Sequence, residues 1–166
     1  MEINTHILST FNKDLATLKE HLAQLVETVD KSLENALVAL KTGDTNLCKQ
    51  IIAEDDLIDT QHRLIDALAM NTLVRYNPMA SDLRFIVSSI SIAKNLERIG
   101  DHTVEIAGNA KKIYRKKSAE DSNLDVEYVT DLYEMAISQF KLAKEAILNV
   151  DIKQACLLYT SDAADD

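Results

Sequence analysis

The sequence predicts an all-α protein, and three observations support that fold class. Glycine occurs only 3 times and proline once in 166 residues, so the chain has few residues suited to turns. Apolar residues recur at intervals of three and four over long stretches, which is the period of an amphipathic helix. No stretch alternates apolar and polar residues in the manner of a half-buried strand. We therefore expect long helices joined by short turns.

The first two helices are bounded by residues that start or stop helices. The first helix is predicted from about Thr5 to Thr42, and Gly43 suits the left-handed position that follows a helix. Asp44 is a good N-cap for the second helix, which is predicted from about Thr45 to Tyr76. The dipeptide Asn77-Pro78 ends this helix, because proline disfavours helical geometry in the residue before it.

A third and a fourth helix follow, and the fourth repeats the first. The third is predicted from about Met79 to Arg115, and the fourth from about Leu124 to Val150. Aligning residues 132–151 with residues 25–44 superimposes an Ala-x-x-Ala-aliphatic run and the aspartate after it. Because three long helices need about 110 residues, we expect one complete set of three and the start of a second.

The expected domain organisation has four parts. Residues 1–115 form the first three-helix repeat, residues 116–123 a polar linker, and residues 124–155 the first helix of a truncated second repeat. That last helix is expected to expose an apolar stripe. Residues 156–166 do not continue the helical pattern and resemble the translation of an adaptor used in preparing sequencing libraries, so we expect a non-native tail there.

Composition argues against several classes of function. The formal net charge of −9 disfavours nucleic-acid binding, which needs clustered Lys and Arg. Cys48 and Cys156 belong to no CxxC pattern, so neither a disulfide framework nor a thiolate zinc site is expected. No signal segment opens the chain and no apolar run reaches the roughly 18 residues of a membrane span, so we expect no membrane insertion. No Gly-rich phosphate loop, nucleophile elbow or HExxH motif points to an enzyme.

Two pairs of carboxylates are the candidate functional residues. Glu97 and Asp101 are four residues apart on the third helix, where a helical wheel places them within an otherwise apolar stripe. Asp55 and Asp59 have the same spacing on the second helix. Residues so spaced have Cβ atoms about 6 Å apart, so two carboxylates can reach one cation. Mg²⁺, Mn²⁺ and carboxylate-bridged iron prefer such oxygen ligands.

Other residues and other interpretations remain open at this point. His62 and Glu105 are weaker candidate ligands, and zinc becomes more plausible if His62 participates. Alternatively, Arg98 neighbours Glu97 and is three residues from Asp101, so the acids could simply be salt-bridged in a metal-free interaction bundle. A carboxylate-bridged oxidase is a third interpretation, although the third helix lacks the Glu-x-x-His motif of that class.

Three strings of residues resemble the PhoU family. They are Asn77-Pro-Met-Ala-Ser-Asp-Leu-Arg84, Leu96-Glu-Arg-Ile-Gly-Asp101 and the earlier Asp55-Asp-Leu-Ile-Asp59, and the likeness extends from residue 4 to about residue 155. PhoU proteins consist of two repeated antiparallel three-helix bundles. The resemblance therefore implies an antiparallel three-helix bundle repeat, with one complete bundle and the first helix of a second.

The resemblance also implies a function. The E/D-x-x-x-D motifs of the family bind multinuclear metal clusters, and they correspond here to Asp55 and Asp59 and to Glu97 and Asp101. The metal would be iron, zinc, manganese or magnesium. A family member is expected to be a cytoplasmic, non-enzymatic homodimer that negatively regulates the phosphate starvation response. It would couple the ATPase subunit of the phosphate ABC transporter to a sensor histidine kinase. Glu105 stands where the family more often has Asn, so an extra ligand is possible there.

Overall fold

The computed structural model contains four α-helices in the residues that it describes, which are 2–116 and 126–149. They are α1 (Glu2–Thr42), α2 (Thr45–Tyr76), α3 (Ala80–Lys116) and α4 (Val126–Asn149). Within these two ranges no strand occurs. The predicted all-α class is confirmed, and each predicted helix end in these ranges lies within about three residues of the observed one. Most of the predicted linker and the whole predicted tail lie outside the described residues.

The turn between α1 and α2 has the predicted capping geometry. Gly43 has a φ of 71°, which is the left-handed conformation expected just after a helix. The Oδ1 atom of Asp44 accepts hydrogen bonds from the backbone N–H groups of Asn46 (2.8 Å) and Leu47 (3.1 Å). The carboxylate thereby satisfies two donors that have no partner within the helix.

The turn between α2 and α3 contains two left-handed residues. Asn77 has a φ of 45°, and its N–H donates to the carbonyl of Leu73 at 3.1 Å. Asparagine tolerates this conformation better than most residues. Ala80, the first residue of α3, has a φ of 51°, which costs an alanine about 1 kcal/mol or more. Asp82 lies in the first turn of α3, where the helix dipole favours a negative charge.

The helices pack as two compact units. The first falls within Met1–Val29 and Glu54–His102, and the second within Asp30–Ala53 and Thr103–Asp166. The first unit therefore takes one segment from each of α1, α2 and α3, and the second takes the other segments of these helices together with α4. The predicted division into repeats at residue 115 stays a prediction.

Each unit has its own apolar core. In the first unit the buried apolar side chains are Leu18, Leu22, Leu25, Val26, Val29, Ile58, Ile65, Ala69, Ile86, Ala93 and Leu96. In the second unit they are Leu33, Ala36, Ala39, Leu40, Cys48, Ile51, Ala107, Ala110, Tyr133, Ile137 and Phe140. Cys48 is a free thiol within that second core. None of the four described helices combines the length and the hydropathy that a membrane span requires.

Ion pairs join α4 to α1 in the second unit. They are Lys144 to Asp30 (2.7 Å), Lys141 to Glu34 (2.8 Å) and Lys41 to Glu134. The partner number on α4 falls as the number on α1 rises, so the two helices run antiparallel. The last two pairs are about half exposed and contribute less than about 1 kcal/mol each. Burial of Tyr133, Ile137 and Phe140 adds an apolar contribution to the attachment of α4.

α4 also exposes the apolar stripe expected from the sequence. Tyr128, Val129, Leu132 and Met135 are between 48% and 64% exposed. In the predicted repeat Leu132 corresponds to Leu25, which is 0% exposed in the core of the first unit. At this pair of positions the leucine is thus buried on α1 and half exposed on α4.

Tyr133 is expected to make the second unit less stable as the pH rises above about 10. Its hydroxyl is buried and has no hydrogen-bond partner among the described residues, although Thr103 lies nearby. Burial raises the pKa of Tyr133 to about 12, and Thr103 offsets part of this rise. An unfolded tyrosine ionises near pH 10. Between about pH 10 and 12 the unfolded chain therefore loses a proton that the folded chain keeps, and stability falls.

We expect Tyr133→Phe to weaken this alkaline loss of stability. The loss attributable to Tyr133 is about 1.4 kcal/mol per pH unit across the window. Urea unfolding at pH 9, 10 and 11 measures it. Tyr128→Phe is the matched control, because the side chain of Tyr128 is 63% exposed. Equal pH slopes for wild type and Tyr133→Phe would contradict the assignment.

Candidate metal site

The four predicted ligands all lie in the first unit, at the edge of its core. Asp55 and Asp59 on α2 are partly buried, as is Glu97 on α3. Asp101 is exposed. The two pairs come from neighbouring segments, because the charges of Glu97 and Asp101 both act on Asp55. The structure thus brings together the two motifs that the sequence placed on separate helices.

The helical wheel placed the α3 acids wrongly in one respect. It put Glu97 and Asp101 in the middle of an apolar stripe, whereas the buried line of α3 runs through Leu96 and Gly100 and the acids flank it. Leu83, which falls on the same side of an ideal helical wheel as Glu97 and Asp101, is 40% exposed. A helical wheel shows on which sides of a helix the apolar residues lie. Which of these sides is buried depends on where the neighbouring helices pack.

Asp55 is the electrostatic centre of the group. Burial raises the pKa of Asp55 above its usual value, and the negative charges of Asp101, Asp59, Asp56 and Glu97 raise it further, in that order. Its Oδ1 atom is buried without a hydrogen-bond partner among the described residues. Asp56 was not predicted to contribute, and its place next to Asp55 was the only signal for it. A buried carboxylate surrounded by like charge is unfavourable without a cation.

Cations of the protein compensate this charge poorly. Arg98 is exposed and forms no ion pair with Glu97 or Asp101 in the part of the chain that the structure describes. Arg63 approaches Asp59, with 3.7 Å between Nη1 and Oδ2, and its side chain is 69% exposed. An exposed pair of this kind contributes less than about 1 kcal/mol. The salt-bridged interpretation therefore accounts for one acid of the four.

The two weaker candidate ligands are placed differently. The Nε2 atom of His62 lies 3.6 Å from Oδ2 of Asp66, one helical turn further along α2. Glu105 is exposed and falls in the second unit. The roles of His62 and Glu105 as ligands stay predictions.

The chemistry of the donor set fits a hard divalent cation. Carboxylate oxygens are the ligands that Mg²⁺ and Mn²⁺ prefer, and one oxygen of Asp55 is buried and unsatisfied. Among the described residues, however, no three His, Cys, Asp or Glu side chains converge on a single metal position. Binding one ion with all four acids would therefore require their side chains to rotate toward it.

Comparison with known proteins gives close sequence relatives. PhoU homolog 1 of Thermotoga maritima, a phosphate-specific transport system accessory protein, is 29% identical over 136 residues, which are 82% of this chain and 56% of that protein. The corresponding homolog of Pseudomonas putida is 32% identical over 126 residues, 76% of this chain and 49% of that protein. The chain thus spans about half the length of the relatives that it matches.

Comparison with solved structures and family models agrees with these relatives. The crystal structure of PhoU from Pseudomonas aeruginosa superimposes with a TM-score of 0.85 at 28% identity, covering 93% of this chain and 72% of that one. This likeness confirms the helical-bundle fold. A sequence model of the PhoU domain matches residues 22–110. Since that match includes more than half of the 166 residues, the chain belongs to the PhoU family.

Proposed function

We propose that this chain is part of a metal-binding regulator of phosphate homeostasis. Its relatives are named as accessory proteins of the phosphate-specific transport system. Asp55, a partly buried carboxylate, is the observation that carries the metal-binding half of the proposal. Four neighbouring negative charges raise its pKa, and its Oδ1 has no hydrogen-bond partner among the described residues. The protein acts in the cytoplasm as a non-enzymatic homodimer that negatively regulates the phosphate starvation response. It couples the transporter ATPase subunit to a sensor histidine kinase.

Acids from both α2 and α3 would bind the metal. Asp55 and Asp59 supply oxygens from α2, and Glu97 and Asp101 supply them from α3. A bound cation supplies positive charge where the protein has an excess of negative charge, and links the two helices. Iron, manganese and magnesium suit an all-oxygen donor set better than zinc, whose protein ligands are more often His and Cys.

The alternative function is a metal-free helical scaffold. The contact between Arg63 and Asp59 favours it, because it compensates one acid without a metal. In that case the acids serve solubility and partner binding would not depend on them.

The effect of Asp55→Asn on the free energy of unfolding, with and without metal, distinguishes these two functions. Since the pKa of Asp55 is raised in the folded state, its ionisation opposes folding as the pH rises through that pKa. Without metal, Asp55→Asn should therefore be more stable than wild type at pH 7, and this advantage should disappear below about pH 4, where an unfolded aspartic acid is protonated. With metal the order should reverse, because only wild type keeps all four carboxylates. Urea unfolding with EDTA and with Mn²⁺ measures both effects.

Asp56→Asn controls for the loss of one negative charge, because Asp56 also raises the pKa of Asp55 but is exposed and is not a proposed ligand. Glu97→Ala and Asp101→Ala should also lower the metal content in elemental analysis. Each variant is then tested for binding to the purified ATPase subunit and to the cytoplasmic part of the kinase. Unchanged metal content and unchanged partner binding in all three ligand variants would leave the metal-free scaffold as the function.

A further inference from the structure

A glycine makes a close helix contact beside the acids. Gly100 is buried within α3, and a Cβ atom placed on it would lie 2.9 Å from Cδ1 and 3.2 Å from Cγ2 of Ile58 on α2. The first distance is shorter than side-chain Cβ atoms tolerate. Ile58 is itself 2% exposed, so it has little room to withdraw. The missing side chain of Gly100 therefore lets Ile58 pack directly against the backbone of α3.

Helix formation gives no reason for a glycine at this position. Gly100 lies in the interior of α3 and is not among the residues with positive φ. Glycine is the least favourable residue in a helix interior apart from proline. At Gly108, further along the same helix, an added Cβ would meet no atom of another described segment within 4 Å. Close approach to a neighbouring helix thus distinguishes Gly100 from Gly108.

The contact lies between the two acid pairs. Ile58 directly precedes Asp59, and Gly100 directly precedes Asp101, so the contact joins the fourth position of each five-residue acidic motif. The distance between α2 and α3 at this point sets how far apart the two pairs of carboxylates stand. Interhelical distances depend on the side chains at the contact. Metal–oxygen distances, by contrast, vary by only a few tenths of an ångström.

We propose that Gly100 is a positioning residue that keeps α2 and α3 close enough for both acid pairs to bind one cation site. The proposal rests on the proposed metal-binding function. Gly100 touches no metal in this role. It acts through Ile58, by allowing the segment that carries Asp55 and Asp59 to approach the segment that carries Glu97 and Asp101.

Mn²⁺ binding to five forms of the 166-residue chain, one of them Asp101→Ala, tests the proposal. Gly100→Ala should weaken Mn²⁺ affinity by about tenfold or more, the range found for residues that orient ligands without touching the metal. Adding Ile58→Val removes the Cδ1 atom that the new methyl group would meet, so the double variant should regain most of the affinity. Gly108→Ala should bind as wild type does. Electron paramagnetic resonance of free Mn²⁺ gives the affinities, and circular dichroism confirms that each form is helical.

The outcomes separate the two proposals. Wild-type affinity in a folded Gly100→Ala variant would overturn the positioning role while leaving the metal site intact. The same holds if Ile58→Val fails to rescue that variant. Absence of Mn²⁺ binding to wild type, or equal binding by Asp101→Ala, would overturn the metal site and the positioning role together. Loss in Gly100→Ala with rescue by Ile58→Val supports both.

Discussion

Replacing Leu25 with alanine should lower the free energy of unfolding by about 3 kcal/mol, the middle of the range for a fully buried leucine. Leu25 is 0% exposed and lies in the core of the first unit. The substitution removes apolar contacts and leaves a cavity that the surrounding helices fill only in part. Urea unfolding followed by circular dichroism measures the change.

The matched control is Leu132→Ala, the corresponding position of the predicted repeat. Leu132 is 50% exposed on α4, so the expected loss is below about 1 kcal/mol. The two substitutions delete the same atoms at equivalent positions, and only their tertiary surroundings differ. Similar losses at both positions would show that the α4 stripe is covered in solution and would contradict the exposure described above.

Replacing Gly43 with alanine should destabilise the protein by about 2 kcal/mol. Its φ of 71° costs an alanine about 1 kcal/mol. An added Cβ would also lie 2.7 Å from Cδ1 of Tyr114. That ring is held in place because the hydroxyl of Tyr114 donates to the carbonyl of Leu40 at 2.6 Å. Moving the ring would lose this hydrogen bond, which contributes about 1 kcal/mol.

Gly108→Ala should have the opposite effect. Gly108 lies within α3, and in the part of the chain that the structure describes an added Cβ would meet no other segment within 4 Å. Alanine is preferred over glycine there by up to about 1 kcal/mol. The melting temperatures of the two variants should therefore move in opposite directions. A loss of stability in both, or in neither, would be inconsistent with the two environments.

Short-range interactions made the helices predictable. The single proline, the glycine at position 43 and the capping aspartate at position 44 act on neighbouring residues of the chain, and helical boundaries follow from them. The four-residue spacing within each acid pair likewise follows from helix geometry alone. These features required no knowledge of how the helices pack.

The character of the candidate site depends on packing. The negative charges of Glu97 and Asp101 raise the pKa of Asp55 because α3 lies close to α2. Asp55 and Asp101 are 46 positions apart in the sequence, and no local rule relates them. The misplaced acids of the helical wheel have the same origin, because a wheel contains only one helix.

Sequence alone determined where the helices begin and end and which carboxylates are four residues apart. It also contained the strings of residues that resemble the PhoU family. All of these features depend on residues within a few helical turns of each other. Tertiary structure decided which face of α3 is covered and which acids are partly buried. It also decided that a glycine beside Asp101 faces an isoleucine beside Asp59. Burial and charge interactions are properties of atoms close in space, and only the packed helices bring those atoms together.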